Sequence, residues 1–76
     1  MTDYQFINQV NNGYKIVEEY PHQDGTFTVL GIHDYRTFHR YVVWSAEIRH
    51  GQRVFWNGIY HTEIMAAAGE FTRRTS

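Results

Sequence analysis

The sequence contains no cysteine, a single proline and no long apolar run. Without cysteine, neither a disulfide framework nor a thiolate metal site can form. No stretch approaches the roughly 18 apolar residues of a membrane span, and the amino terminus lacks the basic and apolar regions of a signal peptide. These absences predict a cytoplasmic protein that does not contact membranes.

An excess of charge of either sign is also lacking. The 7 Lys and Arg residues nearly balance the 8 Asp and Glu residues, so the chain has no overall attraction for a polyanion. Six of the cations are arginine, which favours contacts with carboxylates, phosphates or aromatic rings. A length of 76 residues predicts one small domain, spanning 1–76, that buries only about 60% of the surface its unfolded chain exposes.

Four segments alternate between apolar and polar residues, as β-strands do. Turn signals separate them, at Asp24-Gly25 and at His50-Gly51. Before them, residues 3–12 fit either a short helix that stops at Gly13 or a strand entering an Asn12-Gly13 hairpin, and we favour the helix. The predicted strands are 13–20, 26–32, 39–50 and 53–60.

The period of the apolar residues changes after residue 61, which predicts a carboxy-terminal helix that packs on one face of the sheet. Thr62 or His61 is expected to cap this helix, and Gly69 to mark a close approach to the sheet. The predicted fold is therefore α+β, a four-stranded antiparallel β-meander with a C-terminal helix and a short N-terminal helix, in the order α-β-β-β-β-α. The apolar face of the predicted C-terminal helix consists of Ile64, Ala67, Ala68 and Phe71.

The third and fourth predicted strands carry large apolar side chains on both faces. Phe55 and Trp56 are neighbours, so in a regular strand their rings point to opposite faces. If the helix covers one face, with Phe71 against Trp44, the apolar side chains on the other face predict an interface. Its partner is a protein target or a second copy of the chain in a homodimer. There are two alternatives to an interface. In one, the aromatic rings lie on a solvated sheet face under arginine side chains. In the other, the N-terminal segment covers that face. The predicted protein-binding residues are Tyr41, Val43, Phe55, Arg53 and Glu47.

The stretch HDYRTFHR holds the densest set of reactive side chains. It fits a polar loop with Arg-Asp pairing, a recognition loop, or the acid-base site of a small hydrolase, although no nucleophile accompanies it. The five histidines show neither HxH nor HxxxH spacing and are expected on turns and strand ends, so no metal site and no cofactor is predicted. The possible recognition-loop residues are His33, Asp34, Tyr35, Arg36, His39 and Arg40.

Arginine interleaved with aromatic residues is also typical of surfaces that bind unpaired bases, so a single-stranded nucleic-acid or nucleoprotein binder is an alternative. Acidic residues in the same predicted sheet disfavour it. In size, lack of cysteine and lack of a catalytic signature, the chain is similar to the small accessory proteins of phages and mobile elements, many of which bind and inhibit a host protein. This resemblance implies a non-enzymatic protein-binding or inhibitor domain acting through its aromatic and arginine surface, which is the leading hypothesis.

Overall fold

Five strands form one antiparallel sheet in the order in which they occur along the chain. The computed structural model describes residues 4–34 and 37–76, and within them no helix has the length and apolar character needed to cross a bilayer. The predicted α+β class, antiparallel meander and carboxy-terminal helix are confirmed. The elements are β1 (Val10–Asn11), β2 (Tyr14–Pro21), β3 (Phe27–Ile32), β4 (Tyr41–Arg49), β5 (Gln52–His61) and α1 (Ile64–Thr75).

The predicted N-terminal helix is wrong, and the strand alternative is found instead. Residues 1–3 lie outside the described part of the chain, residues 5–8 form bends and turns, and β1 pairs antiparallel with the start of β2. Asn12 and Gly13 between the two strands have φ values of 53° and 86°. This is the two-residue turn with two left-handed residues that Asn-Gly favours in hairpins. The turn outweighs a weak helical spacing and adds a fifth strand to the sheet.

The other two predicted turns are found as well. His50 (φ 53°) and Gly51 (φ 78°) make a second two-residue turn, between β4 and β5. The β2–β3 connection is longer and spans residues 22–26. There the Asp24 carboxylate accepts hydrogen bonds from the backbone N–H and the hydroxyl of Thr26, at 2.9 and 2.7 Å, which closes the loop.

A β-bulge in β5 changes which side chains share a face. Asn57 and Gly58 both lie opposite Trp44, and Asn57 has a left-handed φ of 56°, as the first residue of such a bulge can have. The extra residue reverses the alternation of side chains beyond it. Phe55 and Tyr60 therefore lie on the same face of the sheet, next to Trp44. A similar bulge interrupts β2.

The sheet curls, which gives it a concave and a convex face. Tyr14 of β2 and Tyr60 of β5 have ring centroids 5.5 Å apart although β3 and β4 lie between their strands, so their face is the concave one. Each face has its own buried cluster. The concave cluster contains Phe6, Tyr14, Ile16, Val29, Val42, Trp44 and Ala46 with Phe27 and Phe55 packed against it; the convex cluster contains Leu30, Val43 and Ala67 with Val17, Tyr41 and Phe71.

Helix α1 covers the convex face, so the prediction that Phe71 packs against Trp44 is wrong. Phe71 packs with Leu30 and Val43, on the opposite side of the sheet from Trp44. Two consecutive residues of β4, Val43 and Trp44, are both buried because each face has its own cover.

Two expectations about the ends and the interior of α1 are also wrong. The residue at the N-cap is Glu63, without a side-chain capping bond, so neither Thr62 nor His61 caps the helix. A Cβ placed on Gly69 would meet no atom within 4 Å, so Gly69 faces open space. The close approach to the sheet is made by Ala67, which is fully buried.

The carboxyl end of α1 is anchored by charged groups. The buried Glu70 carboxylate accepts hydrogen bonds from Arg73 and from Nε of Arg74, the latter at 2.7 Å, and Nη2 of Arg74 donates to the backbone oxygen of Asn57 at 2.9 Å. The Arg74 hydrogen bond holds the pKa of Glu70 below its ordinary value, although burial acts in the opposite direction. The β5 bulge is therefore also the point where the helix is tied to the sheet.

Candidate functional site

The segment before β1 lies across the concave face and is held there by one carboxylate. Glu19 of β2 accepts hydrogen bonds from the backbone N–H groups of Gln5 (3.1 Å), Phe6 (2.6 Å) and Ile7 (2.9 Å). Three converging N–H groups form a natural anion-binding concavity. The β2 bulge places Glu19 on the concave face, since it lies opposite Val29 of the concave cluster.

Phe6 fills the centre of this segment's contact with the sheet. Its side chain is 0% exposed, and its ring meets those of Phe27 and Phe55 edge to face, with centroids 4.9 and 5.6 Å apart, the arrangement that aromatic pairs prefer. On the far side, Nε of Arg53 donates to the backbone oxygen of Gln5 at 2.6 Å. The segment thus bridges β2 and β5 and covers part of the concave face with the chain's own residues.

The rest of the concave face forms an open cleft of about 510 Å³. Trp44 lies among its aromatic walls, with its ring centroid 5.3 Å from that of Phe55 and 6.2 Å from that of Tyr60. A Cβ on Gly58 would lie 2.5 Å from the indole nitrogen of Trp44, so the indole packs directly on the β5 backbone. Trp44 is 5% exposed and Tyr60 is 40% exposed, which makes Tyr60 the accessible ring. The lining residues are Asn11, Asn12, Trp44, Arg53, Val54, Phe55 and Tyr60.

The two edge strands of the sheet form opposite sides of this cleft. Asn11 and Asn12 come from β1 and its turn, whereas Arg53 and the residues after it come from β5. Among residues 4–34 and 37–76, each of these strands is last in the sheet order and pairs with one neighbour. Unpaired edges present backbone N–H and C=O groups that can bind another extended chain. The cleft therefore combines aromatic rings, amide groups, one guanidinium and free strand edges.

The five predicted protein-binding residues do not share one surface. Val43 is fully buried, and Tyr41 packs beside it in the convex cluster. Phe55 and Arg53 lie in the concave cleft, and Glu47 forms an ion pair with Arg49. The two-residue turn between β4 and β5 pairs Phe55 with Ala46 of the concave cluster. This register, with one cover on each face, separates residues that the sequence prediction places together.

The proposed recognition loop is partly described. The half-buried His33 and the exposed Asp34 form a pair, with Nδ1 of His33 3.1 Å from the Asp34 carboxylate, while Tyr35 and Arg36 lie outside the described residues. A Cβ on Gly13 would lie 2.7 Å from Nε2 of His33, so the ring is packed against the first hairpin. The pair is not among the residues that line the cleft, so a hydrolytic reaction at this loop would proceed outside it.

The end of the same loop is joined to the concave face. His39 and Arg40 are exposed, and the backbone oxygen of His39 accepts a hydrogen bond from the Tyr14 hydroxyl at 2.6 Å. Burial, and then the nearby Tyr60, raises the pKa of Tyr14, whereas a hydrogen bond with Thr37 lowers it. Tyr14 is therefore a buried donor that ties His39 to the concave face.

All five histidines lie on turns, loops or strand ends, as predicted. Over residues 4–34 and 37–76, no group of three or more His, Asp or Glu side chains is arranged to hold a metal ion. The cleft lining itself contains neither a carboxylate nor an imidazole. Its side chains can stack, bury apolar groups and donate hydrogen bonds.

Most of the cleft was missed from the sequence. Arg53 and Phe55 are common to the predicted and the observed site, but Asn11, Asn12 and Tyr60 were not singled out. The Asn12-Gly13 turn signal would have placed the first two of them on an edge strand. The local signal for the bulge that turns Tyr60 toward Phe55 is Asn57-Gly58, since a glycine inside a strand pattern often marks a bulge.

A scan against protein-family models finds no match, and searches of the curated proteins and of the solved structures find no similar protein.

Proposed function

We propose that this protein is a non-enzymatic protein-binding domain that holds a segment of its partner protein in the concave cleft. The observation that carries the proposal is the cleft itself, an opening of about 510 Å³ between two free strand edges with Trp44, Phe55 and Tyr60 in its lining.

The chemistry of the lining supports binding to a protein. Tyrosine, tryptophan and arginine are the residues in which the binding energy of protein interfaces is concentrated. The accessible ring, Tyr60, is held against Tyr14 and Trp44, so little conformational entropy is lost when a partner packs on it. The amides of Asn11 and Asn12 supply both donors and acceptors for a partner backbone. A domain of this kind acts by occupying a segment of another protein, as an accessory or inhibitor protein would.

Single-stranded nucleic acid is the second candidate, because bases also stack on open aromatic rings beside an arginine. The cleft lining includes one cation, Arg53, and the chain has a formal charge of −1. Binding driven by phosphates requires several cations and weakens steeply as salt is raised. The charge balance therefore favours a protein partner.

The test begins with capture of proteins from a host lysate, followed by titration of the purified partner by calorimetry. Tyr60→Glu alters the accessible ring of the cleft, and Phe38→Glu, at a residue that is 79% exposed and outside the cleft lining, is the matched control. We expect Tyr60→Glu to weaken binding at least roughly tenfold, the effect of losing one modest hot spot, and Phe38→Glu to leave it unchanged.

Equal affinity of both variants would refute the proposal. Binding of a labelled single-stranded oligonucleotide that falls steeply with salt and is lost in Tyr60→Glu would instead support the nucleic-acid alternative. Sedimentation of the isolated protein shows whether the partner is a second copy of the chain.

A further inference from the structure

We infer that the partner segment is an extended peptide that enters the cleft as a sixth strand, antiparallel to β5, and carries an acidic side chain two positions after an apolar one. This inference rests on the proposed function and adds the chemistry and direction of the ligand. It follows from the direction of the edge strands and from the order of side chains along β5.

The topology sets the direction of the peptide. Successive strands of the sheet are antiparallel, so β1 and β5, the first and the fifth, run in the same direction. They cannot pair antiparallel with each other, although both border the same cleft. A strand that enters between them in the opposite direction is antiparallel to both. It can pair with the outer edge of β5 ahead of Asn57, whose backbone oxygen already accepts from Arg74, and over a shorter length with the edge of β1.

The side chains of β5 set the sequence of the peptide. Arg53 and Phe55 are two positions apart, and both contact Phe6 on the concave face. Residues directly opposite one another in paired strands have their side chains on the same face. A peptide antiparallel to β5 passes Phe55 first and Arg53 two residues later, so it should read apolar, any residue, then acidic.

Arg53 is already positioned to receive that acid. Its Nε donates to the backbone oxygen of Gln5 at 2.6 Å, and its guanidinium carbon lies 6.0 Å from the centre of the Phe6 ring. A guanidinium has further N–H donors, arranged as a fork that fits a carboxylate. Anchoring through Nε reduces the rotamer freedom that a carboxylate ligand would otherwise have to freeze.

The test is a display selection of random linear peptides on the wild-type protein, followed by titration of two capped peptides. These are Thr-Val-Thr-Phe-Thr-Asp-Thr and its counterpart with Lys in place of Asp. Arg53→Glu is compared with Lys15→Glu, which makes the same change of net charge at an exposed β2 residue outside the cleft lining. Because Arg53→Glu also loses the bond to Gln5, Arg53→Gln is measured as a second variant, and circular dichroism confirms that each is folded.

We expect selected sequences to place Asp or Glu two residues after an apolar residue. We also expect the Asp peptide to bind wild type and Lys15→Glu alike, and to bind Arg53→Gln and Arg53→Glu at least roughly tenfold more weakly, the loss of one charge-assisted hydrogen bond. The Lys peptide should prefer Arg53→Glu.

Selected peptides with no acid at that spacing, or binding unaffected by both Arg53 variants, would overturn this inference while leaving a protein-binding cleft in place. Failure to select any peptide, together with partner binding that ignores Tyr60→Glu, would overturn the proposed function as well. A wild-type dimer that Arg53→Glu dissociates would show that the ligand is a second copy and would overturn the assignment to a separate peptide.

Discussion

The two faces of the sheet are both covered by the chain itself, but by different means. The convex face is covered by a regular helix whose contact consists of Ala67, Phe71 and the charged end around Glu70. The concave face is covered by an irregular segment that contributes a single ring, Phe6, and is held by the Glu19 carboxylate. The backbone N–H and C=O groups within a helix hydrogen-bond to one another, whereas those of an irregular segment need polar partners from elsewhere in the protein.

This difference explains why the cleft lies on the concave side. A helix of 12 residues extends over several strands, but residues 5–7 cover only the part of the concave face that Glu19 and Arg53 can reach. The remaining aromatic surface stays open between the two sheet edges. Each of the following tests perturbs one face and uses the other as its reference.

The largest effect is expected when the ring that fills the concave face is removed. Phe6→Ala should destabilise the protein by about 3–5 kcal/mol, the cost of truncating a fully buried phenylalanine. Phe71→Ala, at a partly buried ring on the convex face, should cost less, about 2 kcal/mol, because less buried surface is lost. Chemical denaturation of both variants measures the difference. A greater loss for Phe71→Ala would mean that the helix, and not the N-terminal segment, is the main cover.

Loss of the carboxylate that holds the N-terminal segment should come next. Glu19→Gln exchanges an acceptor of three backbone N–H groups for an amide with one acceptor oxygen, and we expect a loss of about 2 kcal/mol. Glu18 is its exposed neighbour, and Glu18→Gln should change the free energy of unfolding by less than about 0.5 kcal/mol. Equal effects of the two substitutions would show that Glu19 does not hold the segment.

Two glycines should respond to alanine with opposite signs. At Gly58 a Cβ would lie 2.5 and 2.6 Å from Nε1 and Cδ1 of Trp44, and this nearly buried indole cannot move aside, so Gly58→Ala should destabilise by about 1–3 kcal/mol. Gly69→Ala meets no atom on the outer side of α1 and should stabilise the helix by about 0.5–1 kcal/mol. Thermal denaturation distinguishes the two. A destabilising Gly69→Ala would mean that the outer side of the helix is packed against something.

The smallest effect concerns the charged anchor of the convex cover. Since the pKa of Glu70 is lowered in the folded protein, chiefly by Arg74, its carboxylate stabilises the fold above the unfolded pKa of about 4.3 and ceases to do so as the pH falls through the lower, folded pKa. The Tm of wild type should exceed that of Glu70→Gln above about pH 5, and the difference should shrink below that unfolded pKa. Glu18→Gln, at an exposed residue of β2, is the control with the same change of net charge away from α1. A difference that is constant with pH would contradict the anchoring role.

The strands, the turns and the terminal helix could be predicted because their signals are local. Asp24-Gly25 and His50-Gly51 mark turns by backbone conformation alone, and the change of period after residue 61 marks the helix. The same kind of signal at Asn12-Gly13 was available but was outweighed by helical spacing in residues 3–12. The strand before that turn has two residues, Val10–Asn11, too few to show an alternation of their own.

The site could not be predicted because it depends on contacts between distant residues. The bulge at Asn57 and Gly58 reverses the faces of β5 beyond it, and the Asn-Gly pair indicates a bulge without showing which distant side chains the reversed residues then meet. The backbone N–H groups of residues 5–7 that Glu19 binds lie more than ten positions before it in the chain. The local sequence pattern therefore shows Glu19 only as one polar residue of an alternating strand. Phe55 lies on the face opposite Tyr41 because the two-residue turn pairs it with Ala46 of the concave cluster, and that register, set before the bulge, separates the two side chains.

The central claim is that the ligand binds on the concave side, between the two edge strands. The most direct measurement is backbone hydrogen exchange of the wild-type protein, free and saturated with the tightest peptide from the display selection. We predict slower exchange in residues 53–56 of β5 and in residues 10–12, because a strand entering the cleft pairs with these edges, and no change in the exposed part of α1 around Met65. Slower exchange confined to residues 64–75, with β5 unchanged, would place the binding surface on the convex side and contradict the account.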